Sequence, residues 1–362
     1  MYKLALSAVI SLMFVSAGLT TASVAQAATA QSAASKKAQV KKVKARQTVR
    51  LSAPRVEGRV VKRITRVNGR KKVSYQRLIT AAPAFATMGD LAGLSATRDP
   101  LDLKSNVALV LDQANSEVLF EKNSNIALPI ASITKMMTGL VVVEAEQDMD
   151  EVLTVTDEDV DRAKFSSSRL RVGAQLTRAN MLHIALMSSE NRAASALGRN
   201  YPGGKPAFVE AMNAKARELG MSDTHYVDSS GLSKMNVASA RDLAKLAMAA
   251  YEHPKLRQFS TDANAIVEAN GRPMQFGTTN RLVANPDWSI GLQKTGFINE
   301  AGRCLLMQAV IEGRSVIMVF LDSKGTQSRV ADAGRIRKWI EALKPATLNI
   351  GGGSAPVYST GM

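Results

Sequence analysis

The chain has 362 residues, of which 46% are hydrophobic, and a formal net charge of +16. This composition allows one large folded domain or two small ones and excludes a wholly disordered chain. The segment 36–77 alone holds 16 Lys and Arg against one acid. Subtracting these residues and Lys3 from the totals of 47 bases and 31 acids leaves residues 78–362 neutral. The charge therefore gives no reason to expect the body to bind nucleic acid.

Cysteine and histidine usage excludes two further classes of site. Cys304 is the only cysteine, so no disulfide can form within the chain. The three histidines, His183, His225 and His253, are scattered without the spacing of metal ligands. We therefore expect no metal ion and no cofactor.

The N-terminus has the pattern of a secretory signal peptide. A positive start, Met1-Tyr2-Lys3, precedes an apolar run to about Leu19, and Ala25-Gln26-Ala27 is a small-x-small cleavage pattern. We expect residues 1–27 to be removed after Ala27. An uncleaved membrane anchor is the alternative, but the apolar run is short for a bilayer.

Residues 28–100 are predicted to form a basic, largely disordered arm, because they are poor in large apolar groups. One part favours a hairpin: Val60–Ile64 and Lys72–Tyr75 flank Asn68-Gly69, a favoured two-residue turn. Two readings of the arm stay open. It is either a surface that adheres to an anionic envelope polymer or a membrane, or a solvated linker.

From Asn106 onward the pattern is that of a folded body, predicted to occupy residues 101–345 and to be followed by a flexible tail, 346–362. Alternating apolar residues predict strands, and capped amphipathic runs predict helices. In chain order we first predict strands at 107–111 and 117–120. Five helices follow: 132–144, 178–187 (N-cap Thr177), a run after Asn191 to about Leu197, 206–219, and 241–251 (N-cap Ser239). After an irregular segment at 255–290 we predict strands at 290–297, 303–311 and 315–321 and a closing helix at 330–343.

The order of these elements predicts the fold class. Strands come first, a block of helices follows, and further strands and one helix end the body. This segregation favours an α+β fold with an antiparallel sheet over repeated βαβ units.

One short stretch, Pro129–Thr138, carries a candidate nucleophile. Ser132 stands three residues before Lys135 on a predicted helix, so both side chains lie on the same helical face. A serine hydroxyl needs a neighbouring base to become a good nucleophile. Ser132 is therefore the candidate nucleophile and Lys135 its candidate base.

Two further triplets extend the pattern. Ser189-Glu190-Asn191 lies at a predicted helix end, and Lys294-Thr295-Gly296 lies on a predicted strand. Ser-x-x-Lys, Ser-x-Asn and Lys-Thr-Gly in this order are associated with penicillin-binding proteins and class A β-lactamases. Three triplets in order, each on the expected element, form a specific signal.

The chain resembles the penicillin-binding protein 7 type of D-alanyl-D-alanine endopeptidase, within the low-molecular-mass serine peptidases of family S11. The resemblance covers roughly residues 100–343. It rests on the segments Ala131–Gly139, Leu186–Ala194, Ala214–Met221 and Lys294–Gly302. It implies a β-lactamase/transpeptidase-like fold, in which helices flank a sheet and a helical cluster lies across a cleft. It also implies peptidoglycan peptide stems as substrate and covalent inhibition by β-lactams. From the cleaved signal peptide we expect a periplasmic protein, soluble or peripherally associated.

The resemblance also implies roles for individual residues. Ser132 would form an acyl-enzyme and Lys135 would act as base, helped by burial and by Lys294 as a second cation. Ser189 would relay a proton, and Asn191 would orient Lys135 and the substrate amide. Substrate-binding residues would be Lys294, Thr295, Gly296, Phe297 through its backbone N–H in an oxyanion hole, and Arg329 as a carboxylate ligand.

Three alternatives to the endopeptidase remain. A D-alanyl-D-alanine carboxypeptidase would release terminal D-Ala with the same residues. A β-lactamase would need a carboxylate to activate the deacylating water, and Glu210 and Glu218 lie on an ordinary amphipathic helix. A non-catalytic wall-binding protein would not need the Ser132/Lys135 pair. We expect slow deacylation and inhibition by penicillin.

Overall fold

A computed structural model describes residues 59–67, 70–78 and 85–343. The predicted signal peptide, most of the basic arm and the predicted tail lie outside these residues. The chain divides into two units, Met1–Thr80 and Ala81–Met362, and each is described by itself.

In the first unit, β1 (Arg59–Val67) pairs antiparallel with β2 (Arg70–Leu78). Val67 lies opposite Arg70, so two residues connect the strands. The predicted hairpin around Asn68-Gly69 is present, and its strands are longer than the sequence pattern indicated.

The second unit contains the remaining elements, whose bounds are as follows. They are α1 (Met88–Leu91), β3 (Ser105–Asp112), β4 (Val118–Lys122), β5 (Leu128–Pro129), α2 (Thr134–Glu144), β6 (Val152–Thr154), β7 (Gln175–Thr177), α3 (Arg178–Met187), α4 (Asn191–Arg199), α5 (Gly204–Glu218), β8 (Val237–Ala238), α6 (Ala240–Tyr251), α7 (Pro254–Thr261), β9 (Asn264–Ala269), β10 (Arg272–Gly277), β11 (Ser289–Ile298), β12 (Gly302–Ile311), β13 (Arg314–Ser323) and α8 (Ser328–Ala342).

The main sheet has five strands in the order β11-β12-β13-β3-β4, and every neighbouring pair is antiparallel. Successive side chains of a strand point to opposite faces, and both faces of this sheet are covered. On β3, Val107 and Leu109 join the apolar core shared with the helical cluster. Ala108 and Val110 join a second apolar core beneath α8. The predicted α+β class with an antiparallel sheet is confirmed.

The helix α2 lies at the centre of the helical cluster and is buried from Thr134 to Val142. A 3₁₀ turn, Ala131–Ile133, leads into it and lies against β11. A helix that is apolar all round must be enclosed by others, and α3, α4, α5 and α6 enclose this one. The junction of turn and helix therefore stands where the sheet meets the cluster.

The prediction that residues 255–290 are irregular was wrong. The segment contains most of α7, the hairpin β9–β10 and a 3₁₀ turn at Arg281–Ala284. Pro254 is at the start of α7, where its missing N–H costs nothing. Asn270 and Gly271 connect β9 and β10, both with positive φ. Proline and glycine here mark the boundaries of short elements, which we had interpreted as irregular structure.

The folded body begins earlier than the predicted residue 101. Thr87 caps α1 and donates its hydroxyl to Asp322 at 2.7 Å. The N–H of Met88 donates to the carbonyl of Glu300 at 2.9 Å. Both partners lie more than 200 residues away in sequence, so no local pattern reveals these contacts.

Candidate active site

The candidate nucleophile and base lie at the junction that leads into α2. Ser132 is the middle residue of the 3₁₀ turn, and Lys135 is in the first turn of α2. The Nζ of Lys135 lies 2.9 Å from the Oγ of Ser132. The i, i+3 spacing brings both groups to one side of the chain, as the sequence predicted.

The Lys135 amine is fully buried and has three partners. Besides Ser132, they are the Oδ1 of Asn191 at 2.8 Å and the carbonyl of Ser230 at 2.5 Å. A carbonyl and an amide oxygen only accept hydrogen bonds. A neutral amine would direct its two N–H groups to Asn191 and Ser230, which leaves its lone pair for the proton of Ser132. The surroundings therefore suit a base directed at Ser132.

Burial lowers the pKa of Lys135 from 10.5 to about 7, because the charged form loses its solvation. The charges of Asp228 and Glu190 act against this effect and raise the pKa. Burial also holds the pKa of Lys294 well below its usual range, and the charges of Lys135 and Arg329 lower it further. Burial, which we had expected, is thus the main cause of the lowered pKa of Lys135, and Lys294, the expected second cation, is not among its causes.

The second triplet lies between two helices of the cluster. Glu190 is the N-cap of α4 and accepts a hydrogen bond from the N–H of Arg192. Asn191, the first residue of α4, also donates from Nδ2 to the Oγ of Ser166 at 3.0 Å. Ser189 has a φ of 61° and is partly buried, and its hydroxyl makes no hydrogen bond to any described residue. The structure brings Asn191 to Lys135, whereas the Ser189 hydroxyl is unpaired within the described part of the chain.

The third triplet lies in the middle of β11, where Lys294 and Thr295 are buried. The Nζ of Lys294 donates to the carbonyl of Thr295 at 3.0 Å. A Cβ at Gly296 would lie 2.8 Å from the carbonyl of Ile130 and 3.2 Å from the nitrogen of Ser132. Glycine is therefore required here so that β11 can approach the turn of Ser132.

Arg329, the predicted carboxylate ligand, contacts the chain's own backbone. Its guanidinium donates to the carbonyl of Gly296 at 2.8 Å and to that of Cys304 at 3.2 Å. These bonds hold β11 beside β12 at the third triplet. Phe297, the next residue of β11, is half-exposed, and Arg303 stacks on its ring.

Sequence reasoning missed the segment 228–236, which closes the site behind Lys135. The carboxylate of Asp228 accepts hydrogen bonds from the N–H groups of Ser230 at 2.7 Å and Gly231 at 2.6 Å. This turn presents the carbonyl of Ser230 to Lys135. Gly231 has a φ of 80°, and a Cβ there would lie 1.9 Å from the carbonyl of Ala131. The run Asp-Ser-Ser-Gly is a turn signal that would have justified closer attention.

The site has no features of a metal centre in the part of the chain that the structure describes. No three or more His, Cys, Asp or Glu side chains there are arranged to hold an ion. The chemistry available is that of a hydroxyl, two buried amines and an amide.

Comparisons with known proteins agree with this arrangement. Residues 94–325 match the model of peptidase family S11, D-alanyl-D-alanine carboxypeptidase. The chain is 44% identical to a D-alanyl-D-alanine endopeptidase of Pseudomonas aeruginosa over 274 residues, which cover 73% of this chain and 88% of that protein. It is 41% identical to a D-alanyl-D-alanine endopeptidase of Escherichia coli over 269 residues, 74% and 87% of the two chains.

Solved structures are similar in the same region. The Streptomyces K15 DD-transpeptidase matches with a TM-score of 0.64 and 26% identity, over 68% of this chain and 100% of that chain. Penicillin-binding protein D2 from Listeria monocytogenes, in its cefotaxime-bound form, matches with a TM-score of 0.60 and 29% identity, over 67% and 98%.

Proposed function

Because the chain belongs to peptidase family S11, we propose that it is a serine DD-endopeptidase that hydrolyses D-Ala-containing peptide cross-links of peptidoglycan. The observation that carries the proposal is the buried Lys135 amine, 2.9 Å from the Ser132 hydroxyl and bonded to two acceptors. The endopeptidase names of the two relatives at 44% and 41% identity favour cross-links over terminal D-Ala as substrate.

The acylation step follows from the protonation of Lys135. Its neutral amine takes the hydroxyl proton while the Oγ of Ser132 bonds to the carbonyl carbon of the penultimate D-Ala. The scissile C–N bond then breaks, and the leaving amine takes up a proton. We assign that transfer to Ser189, whose hydroxyl has no hydrogen-bond partner among the described residues. Water later hydrolyses the ester, and the released stem carries a new carboxylate.

Oxyanion stabilisation is assigned to the backbone N–H groups of Ser132 and Phe297. Gly296 supports this assignment, because it allows β11 to approach the nitrogen of Ser132. Lys294 and Thr295 are assigned to a substrate carboxylate on the leaving side of the scissile bond. Arg329 is assigned a supporting role, since its guanidinium bonds to the carbonyl of Gly296.

We expect the acyl-enzyme formed with a β-lactam to be hydrolysed slowly, because a β-lactamase needs a carboxylate to activate the water. Glu210 is exposed on α5, and Glu218 pairs with Lys215 on that helix. Glu190 is buried and is occupied by Ser168 and the N–H of Arg192. Glu218 and Glu190 are thus occupied by other groups and Glu210 is exposed on α5, so we expect none of the three to activate a water as a β-lactamase requires. A carboxypeptidase activity remains the second candidate, because the family model carries that description.

We also propose that the protein is exported to the periplasm. No helix in the described residues is long and apolar enough to cross a membrane. The signal-peptide pattern of residues 1–27 supports export to the periplasm. The basic hairpin β1–β2 supports adhesion of the arm to an anionic envelope polymer or membrane surface.

Two assays test the function. The protein and its Ser132→Ala variant are incubated with fluorescent penicillin, and separately with cross-linked muropeptides followed by chromatography. We expect a covalent label and cleavage of cross-links from the wild type only. An unlabelled wild type would refute the acyl-enzyme, and release of D-Ala without cleavage of cross-links would select the carboxypeptidase.

A further inference from the structure

A cavity of about 320 Å³ lies beside the end of β11, beyond the third triplet. It is lined by β11, the start of β12, the end of β13 and the segment before α1. The lining residues that matter here are Phe85, Phe297, Asn299, Arg303, Asp322 and Lys324. Apart from Phe297, none of them takes part in the chemistry proposed above.

Counting partners within residues 85–343, Arg303 is the one cation of this lining without an acidic partner. Lys324 pairs with Asp90, whereas no acidic side chain among residues 85–343 pairs with Arg303. Its guanidinium lies 4.6 Å from the centroid of the Phe297 ring, and the two residues are opposite each other in the β11–β12 register. The ring fixes the guanidinium while its N–H donors stay available. A planar guanidinium of this kind suits a carboxylate.

The walls and floor of the cavity restrict where an anion can sit. Phe85 is 77% exposed and Phe297 50% exposed, so two aromatic rings offer apolar surface to a ligand. The floor is formed by Asp322, which is buried and accepts hydrogen bonds from Thr87 and Asn106. A second carboxylate beside Asp322 would be repelled. An anionic ligand would thus place its aliphatic part between the rings and its charge at Arg303.

The direction of β11 relates this cavity to the scissile bond. Gly296 lies against the nitrogen of Ser132, so the acyl carbonyl belongs near this residue. Lys294 and Thr295 precede it and are assigned to the leaving side. The acyl side therefore extends toward Phe297, and one strand residue covers about 3.3 Å. The cavity lies within one or two residues of the acylated D-Ala.

We propose that this cavity is a subsite for a carboxylate on the side chain of the stem residue that precedes the acylated D-Ala, with Arg303 as its ligand. The proposal rests on the proposed function, because the direction of the substrate along β11 comes from it.

The experiment compares two synthetic cross-linked peptides that differ only in this side chain. One side chain ends in a carboxylate and the other in its primary amide. The measurement is kcat/KM for cleavage of the cross-link, followed by chromatography. In the wild type, kcat/KM should be about tenfold or more higher for the carboxylate peptide than for the amide peptide, because the amide loses a charge-assisted hydrogen bond to Arg303. In Arg303→Gln the ratio should fall toward one.

A matched control is Arg217→Gln, which removes the same charge from an exposed position of α5 and should keep the wild-type ratio. Equal rates for the two peptides in the wild type would overturn the subsite, and this comparison needs no variant. An unchanged ratio in Arg303→Gln would also overturn it. Two parallel readouts separate these outcomes from failure of the proposed function. Without an acyl-enzyme, fluorescent penicillin leaves no label, and a carboxypeptidase is labelled but cleaves neither cross-linked peptide.

Discussion

The protonation of Lys135 predicts how acylation depends on pH. With a pKa of about 7, roughly a tenth of the amine is neutral at pH 6 and roughly nine-tenths at pH 8. The rate of labelling by fluorescent penicillin should rise about tenfold per pH unit well below 7 and level off above 8. With the ordinary pKa of 10.5, the rate would instead continue to rise beyond pH 9.

Asp228→Asn is the perturbation that tests the cause of this profile. The negative charge of Asp228 raises the pKa of Lys135, so its removal should move the acid limb of the profile to lower pH. The Oδ1 position, which accepts the Ser230 and Gly231 N–H groups, is kept in asparagine. The Oδ2 position, which accepts from the N–H of Ser233 at 3.0 Å, becomes a donor. We expect the free energy of unfolding to fall by about 2 kcal/mol.

The assay is the second-order rate constant of labelling from pH 5 to 9 at fixed ionic strength. Thermal unfolding shows which variants are folded at each pH. Asp223→Asn, an exposed neighbour, is the matched control and should keep the wild-type midpoint. A wild-type rate that is constant between pH 5 and 7 would refute Lys135 as the titrating base. A midpoint that moves to higher pH in Asp228→Asn would refute the electrostatic argument.

The free energy of unfolding should also depend on pH through Lys135. The pKa of Lys135 in the folded state lies below its ordinary value, so the unfolded chain binds more protons between pH 7 and 10.5. The contribution of this group to the free energy of unfolding therefore falls as the pH drops from 10.5 to 7 and is constant below 7. The pKa difference corresponds to roughly 5 kcal/mol.

Three further substitutions test the surroundings of the site. In Gly231→Ala the new Cβ would overlap the carbonyl of Ala131 at 1.9 Å, so the rate of labelling by fluorescent penicillin should fall at least tenfold. Gly313→Ala is the control: its φ is similar, but no atom lies within 4 Å of the new Cβ. It should keep the labelling rate and lower the stability by only about 1–2 kcal/mol, and thermal unfolding measures the stability of both variants. Asn191→Ala removes an acceptor of the buried amine, and the labelling rate should fall roughly 10–100-fold in a folded protein; an unchanged rate would exclude its orienting role. Asp332→Ala leaves the buried donors at the start of β3 unpaired and should lower the free energy of unfolding by roughly 3–5 kcal/mol in urea titrations, without changing the labelling rate of the folded protein.

Much of the fold was predictable because local patterns and packing agree. Thr177 and Ser239 cap α3 and α6 as expected, each accepting a hydrogen bond from an N–H three residues later. The three long strands of the last third also lie where their apolar runs predicted them. The segment 255–290 was misjudged because its proline and glycine residues mark the ends of short elements, and the sequence pattern did not distinguish these ends from loops.

The candidate site was predictable only in part. The spacing of Ser132 and Lys135 determines their approach, since three residues make nearly one helical turn. The contacts of Asn191 and of the Ser230 carbonyl with the same amine depend on how α4 and the segment 228–236 pack against α2. No local pattern specifies such packing.

The sequence by itself thus determined which residue types are present, their order and the i, i+3 pair. The tertiary structure decided what these groups can do. It buries Lys135 and thereby lowers its pKa, because an interior without water stabilises the neutral amine. It brings Gly296 and Gly231 against the backbone around Ser132, and it turns Arg329 toward the chain's own carbonyls. A pKa and a close approach are properties of the surroundings, and the surroundings exist only in the folded chain.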